Sequence, residues 1–183
     1  MFKQAILDDR ISWMRSLLLV IGGSFLIALF ARISIPLPFS PVPIALQGHI
    51  CLLLGALLGS RKGSLAVLAY IAQGAMGLPV FALGKAGIAV LLGPTGGYLM
   101  GYLAATWVTG YLIERSVSKS LRGAMVAMTL GNLVIYLCGL SQLALFVGVQ
   151  RVFFLGMLPF LIGDGLKLIL AYQALKLFSK HRV

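Results

Sequence analysis

Apolar residues occur along this chain in long runs, which short stretches rich in glycine, proline or charge separate. Most runs approach the roughly 20 apolar residues that a membrane-crossing helix needs. The pattern predicts an all-α integral membrane protein with six transmembrane helices in one domain over residues 1–183. The predicted spans are 14–34, 45–60, 63–78, 95–113, 123–148 and 154–178.

The sequence predicts the conformation of two segments that separate these runs. Residues 60–63, Ser-Arg-Lys-Gly, predict a tight basic turn between two antiparallel helices. Pro36, Pro38, Pro41 and Pro43 follow the first run and predict an extended, stiff loop.

The amino-acid composition excludes the functions that need a large soluble domain. Of the 183 residues, 60% are hydrophobic and 10% are charged, whereas an average soluble domain is roughly a quarter charged. Six spans leave no length for a separate soluble catalytic, nucleotide-binding or DNA-binding domain. We therefore expect the protein to act within the thickness of the membrane, with lipid around it.

The net charge of +11 predicts an orientation. Basic residues lie in small groups between apolar runs, which is typical of loops retained in the cytoplasm and not of a nucleic-acid-binding surface. With both termini cytoplasmic in the inner (plasma) membrane, the outer loops hold only Arg32, Lys85 and Arg151. The inner side then holds Lys3, Arg10, Arg15, Arg61, Lys62, Arg115, Lys119, Arg122, Lys176, Lys180 and Arg182.

Asp164 and Lys167 are the ionisable pair inside an apolar run. A spacing of three residues places both side chains on one face of a helix, where they can pair without facing lipid. A structural ion pair is one interpretation. Ionisable residues within membranes more often bind a ligand, an ion or a proton, and we favour a ligand site near the outer end of the last helix.

Enzymatic and metal-binding motifs are missing from the sequence. The Gly-Lys pair at 84–85 lacks the rest of a phosphate-binding loop, and no Gly-x-Ser-x-Gly motif occurs. Cys51 and Cys138 lie singly in apolar runs and are interpreted as core residues. His49 and His181 have no ligand or triad spacing, so His49 is expected to be structural or solvent-facing. No metal, cofactor or catalytic residue is expected.

Three motifs, in order, resemble the BioY family, the biotin-binding S components of energy-coupling-factor transporters. They are Arg-Ile-Ser-Ile-Pro-Leu-Pro-Phe-Ser-Pro-Val-Pro-Ile at 32–44 with Gln47 following, Gly-Leu-Pro-Val-Phe at 77–81 with Gly-Pro-Thr-Gly-Gly-Tyr at 93–98, and Pro-Phe-Leu-Ile-Gly-Asp-Gly-Leu-Lys at 159–167.

The resemblance implies a subunit that captures biotin from outside. It further implies pairing with a transmembrane coupling subunit and two cytosolic ATPases, which drive inward release. The family's Ala-x-x-x-Ala motif, where the coupling subunit packs, corresponds here to Ser24 and Ala28.

If the ligand is biotin, its ureido group, ring, chain and carboxylate suggest roles for individual side chains. Asp164 is expected to accept hydrogen bonds from the ureido N–H groups, and Lys167 to keep that carboxylate ionised or to reach a ligand oxygen. Lys85 is the expected cation near the biotin carboxylate. Phe81 is expected as an apolar wall, and the further polar contacts are Tyr98, Thr95, Gln47 and Asn132.

Other interpretations stay open at this stage. Asn132 suits an interhelical hydrogen bond equally well. The protein as a whole could be an S component for a different vitamin, an intramembrane enzyme or a purely structural membrane subunit.

Overall fold

The computed structural model of the protein describes residues 2–115, 121–161, 163–165, 168–170 and 173. Within them the chain is mostly helical. Its elements are α1 (Phe2–Ala31), β1 (Ser34–Leu37), β2 (Ser40–Ala45), α2 (Gln47–Ala75), a short 3-10 helix (Ala82–Gly84), α3 (Ile88–Leu92), α4 (Gly96–Arg115), α5 (Leu121–Val147) and α6 (Val149–Gly156).

Three described helical segments are long and apolar enough to cross a membrane, namely Trp13–Ala31, Gln47–Ala75 and Gly123–Val147. Two further segments, Val149–Leu161 and Gly163–Leu170, meet at a bend of 42°. If this pair crosses the membrane as one span, the described residues contain four candidate spans. These lengths agree with a membrane-embedded helical fold. The total of six spans and the cytoplasmic position of the termini stay predictions.

Helix α2 doubles back on itself at Gly59, whose φ of 83° and ψ of 176° are not helical. The Tyr70 hydroxyl donates a hydrogen bond to Oε1 of Gln47 at 2.9 Å. A straight helix would hold these residues about 35 Å apart. The two halves of α2 therefore run antiparallel, which agrees with the helix pair expected over 45–60 and 63–78. The 29 residues of α2 thus meet the length requirement only when both halves are counted together, and they do not form one straight span.

The position of this reversal corrects the predicted turn at residues 60–63. Ser60 begins the second half of α2, because Glu114 of α4 caps it. Oε1 of Glu114 accepts the Ser60 amide hydrogen at 2.7 Å, and Oε2 accepts the Ser60 hydroxyl hydrogen at 2.8 Å. Arg61 and Lys62 are helical and exposed. The turn falls on Gly59 because its positive φ carries little cost for glycine.

Helices α2 and α4 pack backbone against backbone at Gly55. A Cβ atom at this position would lie 2.5 Å from the carbonyl oxygen of Thr106. The Thr106 hydroxyl bonds to the Cys51 carbonyl oxygen of α2 at 3.2 Å. Small residues and interhelical hydrogen bonds are how helices associate in lipid, where apolar side chains gain little from burial against each other.

The proline-rich segment, predicted as an extended loop, forms a two-stranded β-hairpin within an otherwise helical fold. Strands β1 and β2 are antiparallel, with Ser34 opposite Ala45 and Leu37 opposite Ser40, and their register shifts between Ile35 and Leu37. Pro36 lies at that shift, where it has no N–H to donate. The Ser40 hydroxyl binds the Leu155 carbonyl oxygen at 2.7 Å and ties the hairpin to α6.

We expect Gly55→Ala to lower stability, because the added methyl group would meet the backbone of Thr106. Overpacking of this kind costs about 1–3 kcal/mol. Thermal unfolding of the detergent-solubilised protein measures it. Gly22→Ala is the matched control, since nothing lies within 4 Å of a Cβ at Gly22 on α1, and it should not lower the melting temperature. Equal melting temperatures for the two variants would contradict the close packing.

We also expect Glu114→Ala to destabilise the α2 hairpin, because the start of its second half would lose both acceptors. Loss of a helix cap costs about 0.5–2 kcal/mol. Glu114→Gln keeps one oxygen acceptor and should lose less. Thermal unfolding of the detergent-solubilised variants measures the difference. If the alanine variant melted no lower than the glutamine variant, the cap would be dispensable.

Candidate ligand-binding site

Two adjoining cavities lie where β2, α2 and α4 meet. The first encloses about 400 Å³ of space between protein atoms and the second about 430 Å³, and in both part of that space is open to solvent. Both are lined by Val42, Pro43, Tyr98 and Tyr102. The first is lined in addition by Gln47, Phe81, Ala82, Lys85, Val90, Thr95 and Leu99. The second is lined in addition by Ala45, Gly48, His49, Asn132, Ile135, Tyr136, Phe160 and Asp164.

The Asp164 carboxylate lies in the second cavity and is buried, with 7% of the residue exposed. One of its oxygens, Oδ2, accepts hydrogen bonds from the Tyr136 hydroxyl and, at 3.4 Å, from the Asn132 amide. The other, Oδ1, lies 3.9 Å from Nε2 of His49. A buried charge is costly without such partners. Side chains of α2 and α5 therefore converge on one carboxylate.

Gln47 begins α2, lines the first cavity and connects two tyrosine side chains. Its Oε1 accepts from Tyr70, and its Nε2 donates to the Tyr102 hydroxyl at 3.3 Å. The Tyr98 hydroxyl donates to the Gly156 carbonyl oxygen at 2.8 Å and joins α4 to α6. Tyr98 and Tyr102 lie one turn apart on α4, and this face of α4 forms the wall that the two cavities share.

Phe81 forms an apolar wall of the first cavity and is almost fully buried. Its ring meets the Tyr70 ring edge-on, with centroids 5.6 Å apart and an interplanar angle of 82°. It also lies over Gly74, where an added Cβ atom would overlap the ring. This packing holds the ring in place beside the cavity.

The rim of the first cavity belongs to the segment between α2 and α4. Lys85 is exposed and Thr95 is half-buried, and both line the cavity. Gln142 of α5 donates hydrogen bonds to the carbonyl oxygens of Leu91 at 2.9 Å and Gly93 at 2.7 Å. These contacts hold the rim segment against the helices.

The structure brings together most of the residues that the sequence suggested. Gln47, Phe81, Lys85 and Thr95 line the first cavity, Asn132 and Asp164 line the second, and Tyr98 lines both. Lys167 lies outside the described residues. Whether any of these side chains contacts a ligand stays a prediction.

Two prominent residues of the second cavity were missed from the sequence, His49 and Tyr136. His49 was expected to be structural or solvent-facing, yet only 7% of it is exposed and it lies beside Asp164. The residues next to His49 in the sequence gave no indication that it would be buried beside Asp164. Tyr136 could have been found, because it follows Asn132 by four residues and therefore shares its helix face.

Ser24, assigned to a partner helix, packs inside the chain. It is fully buried and accepts a hydrogen bond from Nε2 of Gln73 at 3.1 Å. Ala28 is half-buried and packs against the same core. The Ser24 side chain therefore packs against α2 within this chain, and the packing of Ser24 and Ala28 against a coupling subunit stays a prediction.

Metal-binding geometry is not found within the parts of the chain that the structure describes, where no cluster of three or more His, Cys, Asp or Glu side chains occurs. Cys51 is a buried core residue and Cys138 is partly buried. The polar groups of the two cavities are carboxylate, imidazole, amide, hydroxyl and ammonium groups. They suit a neutral or anionic organic molecule with several hydrogen-bonding groups.

Comparison with known proteins identifies the family. The BioY family model matches residues 3–182. A probable biotin transporter BioY from Pyrococcus horikoshii is 42% identical over 147 residues, covering 78% of this chain and 86% of the relative. The biotin transporter BioY from Thermotoga maritima is 42% identical over 156 residues, covering 84% and 90%.

A solved structure agrees with this assignment. The crystal structure of the S-component for biotin from an ECF-type ABC transporter superposes with a TM-score of 0.84 at 27% sequence identity. The match covers 92% of this chain and 93% of that one. The motifs at 32–47, 77–98 and 159–167, the fold and these relatives agree, and the chain belongs to the BioY family.

Proposed function

We propose that this chain is the substrate-capture subunit for biotin uptake. The observation that carries the proposal is the Asp164 carboxylate, buried in the second cavity with Tyr136, Asn132 and His49 around it. The BioY relatives and the structural neighbour are named for biotin. They support this ligand over another vitamin, and they support a transport subunit over an intramembrane enzyme.

The donors and acceptors of the second cavity complement the ureido group of biotin. That group has two N–H donors, for which Asp164 is the acceptor, and one carbonyl oxygen, which needs a donor. The Asn132 amide, or the Nε2 atom of His49 when it carries a hydrogen, can supply that donor. We therefore add His49 to the proposed ligand-binding residues, together with Tyr136 as the residue that orients Asp164.

The apolar part and the acidic end of biotin fit the rest of the two cavities. The thioether ring and the aliphatic chain would lie along the shared wall of Val42, Pro43, Tyr98 and Tyr102 and against Phe81. Lys85 on the rim would then meet the carboxylate. Gln47 and Thr95 are proposed as further polar contacts, and Lys167 as a partner of Asp164.

The fold supports binding from the outer side of the membrane. Arg61, Lys62 and Arg115 lie at the end of the bundle where Glu114 caps Ser60. The cavities lie at the opposite end of the bundle, where α2 and α4 begin. Because basic ends stay in the cytoplasm, the cavities face outward in the plasma membrane.

Inward delivery would require energy from other subunits. We propose that a transmembrane coupling subunit and two cytosolic ATPases supply it, since the relative of known structure is the S-component of an ECF-type ABC transporter. The phosphate-binding loop pattern is missing from the sequence of this chain. The six spans and two cytoplasmic termini belong to the same proposal.

We expect Asp164→Asn to weaken biotin binding about 10- to 150-fold, because hydrogen bonds to a charged group contribute about 1.5–3 kcal/mol. Calorimetric titration of the purified chain in an uncharged detergent measures this, with thiamine and riboflavin as competitors. Glu114→Gln is the matched control, since it replaces a carboxylate far from both cavities and should bind biotin normally. Unchanged binding by Asp164→Asn would remove the proposed site.

We further expect His49→Ala to weaken biotin binding about 5- to 10-fold, because one hydrogen bond to the ureido oxygen is lost. His49→Gln keeps a side-chain N–H donor and should recover part of the affinity. Melting temperatures of the ligand-free variants separate a folding defect from a binding defect. If both variants bound biotin like the wild type, His49 would have no part in recognition.

A further inference from the structure

Arg32 places a second cation beside the rim of the first cavity. Its Nη1 atom would lie 3.6 Å from a Cβ at Gly84, and the next residue, Lys85, lines the cavity. The amide of Leu83 donates to the Ser34 hydroxyl at 3.0 Å, which ties this short 3-10 helix to β1. Arg32 and Lys85 are both exposed.

No carboxylate with a described side chain neutralises these two cations. Glu114 lies at the opposite end of α4 and caps Ser60. Asp164 lies inside the second cavity and accepts from Tyr136 and Asn132. Among the residues whose side chains the structure describes, Asp164 lies within ion-pair distance of His49. The rim therefore keeps a positive charge from two adjacent side chains.

Positive charge at the rim of an apolar cavity raises the association rate constant of an anionic ligand. Charged walls around a low-dielectric site concentrate the field and raise association rates, and salt screens the effect beyond about 10 Å at 0.1 M. Arg32 does not line either cavity, so a molecule bound inside them would not touch it, whereas an approaching anion would still feel its charge.

We propose that Arg32 is a steering residue that, with Lys85, speeds capture of a ligand bearing a carboxylate. The inference rests on the proposed function, since it takes biotin as that ligand. It assigns Arg32 a role in the association rate and none in holding the bound molecule. The uncharged amide of biotin would gain nothing from it.

Stopped-flow association of biotin and of biotin amide with the purified chain, in an uncharged detergent, tests the inference. At about 20 mM salt, Arg32→Gln should lower the association rate constant for biotin about two- to fivefold and leave the dissociation rate unchanged. The difference should disappear near 0.5 M salt. Arg32→Lys should restore the rate, and Arg61→Gln, which removes a cation beside the turn of α2 at the opposite end of the bundle, should have no effect.

Two results would overturn the inference. One is an unchanged association rate for Arg32→Gln at low salt. The other is an equal slowing for biotin and for the uncharged amide, which would mean a structural defect at the rim. If the wild-type chain bound neither molecule, the proposed function itself would fail and the inference with it.

Discussion

A buried carboxylate that must be stabilised in an apolar bundle is the constraint on which the site depends. Asp164 is 7% exposed and accepts hydrogen bonds from Tyr136 and Asn132. Removing a carboxylate from water costs several kcal/mol unless donors replace the lost solvent. α5 supplies both donors and α2 supplies His49 at 3.9 Å. The positions of these helices relative to each other therefore decide whether the cavity can hold a charge and use it on a ligand.

The reversal of α2 creates that arrangement. Gly59 turns the chain back, so that Tyr70 of the second half reaches Gln47 at the start of the first. The close approach at Gly55 holds α2 against α4 and fixes the shared wall of the two cavities. The same reversal places Arg61 and Lys62 at the far end of the bundle. One local backbone feature thus connects the packing of the helices with the charge asymmetry of the bundle.

Hydropathy and side-chain type predicted the helices and many of the residues that line the two cavities, because long apolar runs and rare polar residues within them are strong signals. Asn132, Gln47 and Tyr98 were suggested by polarity and position, and the structure places them around the cavities.

Contacts between distant segments were not predictable. The burial of His49 depends on where α2 begins beneath the β-hairpin, and the enclosure of Ser24 depends on Gln73, 49 residues away. The hairpin was missed because four prolines argue against a regular sheet, whereas a strand edge with a register shift tolerates them.

The most direct test of the central claim is a crystal structure of this chain with biotin bound. The account predicts the ureido group in the second cavity, with its nitrogen atoms within hydrogen-bonding distance, about 2.7–3.2 Å, of the Asp164 carboxylate oxygens, and the aliphatic chain running past Tyr98 toward Lys85. A structure in which biotin lies elsewhere, or in which Asp164 contacts only protein side chains while the ligand occupies the cavity, would contradict it.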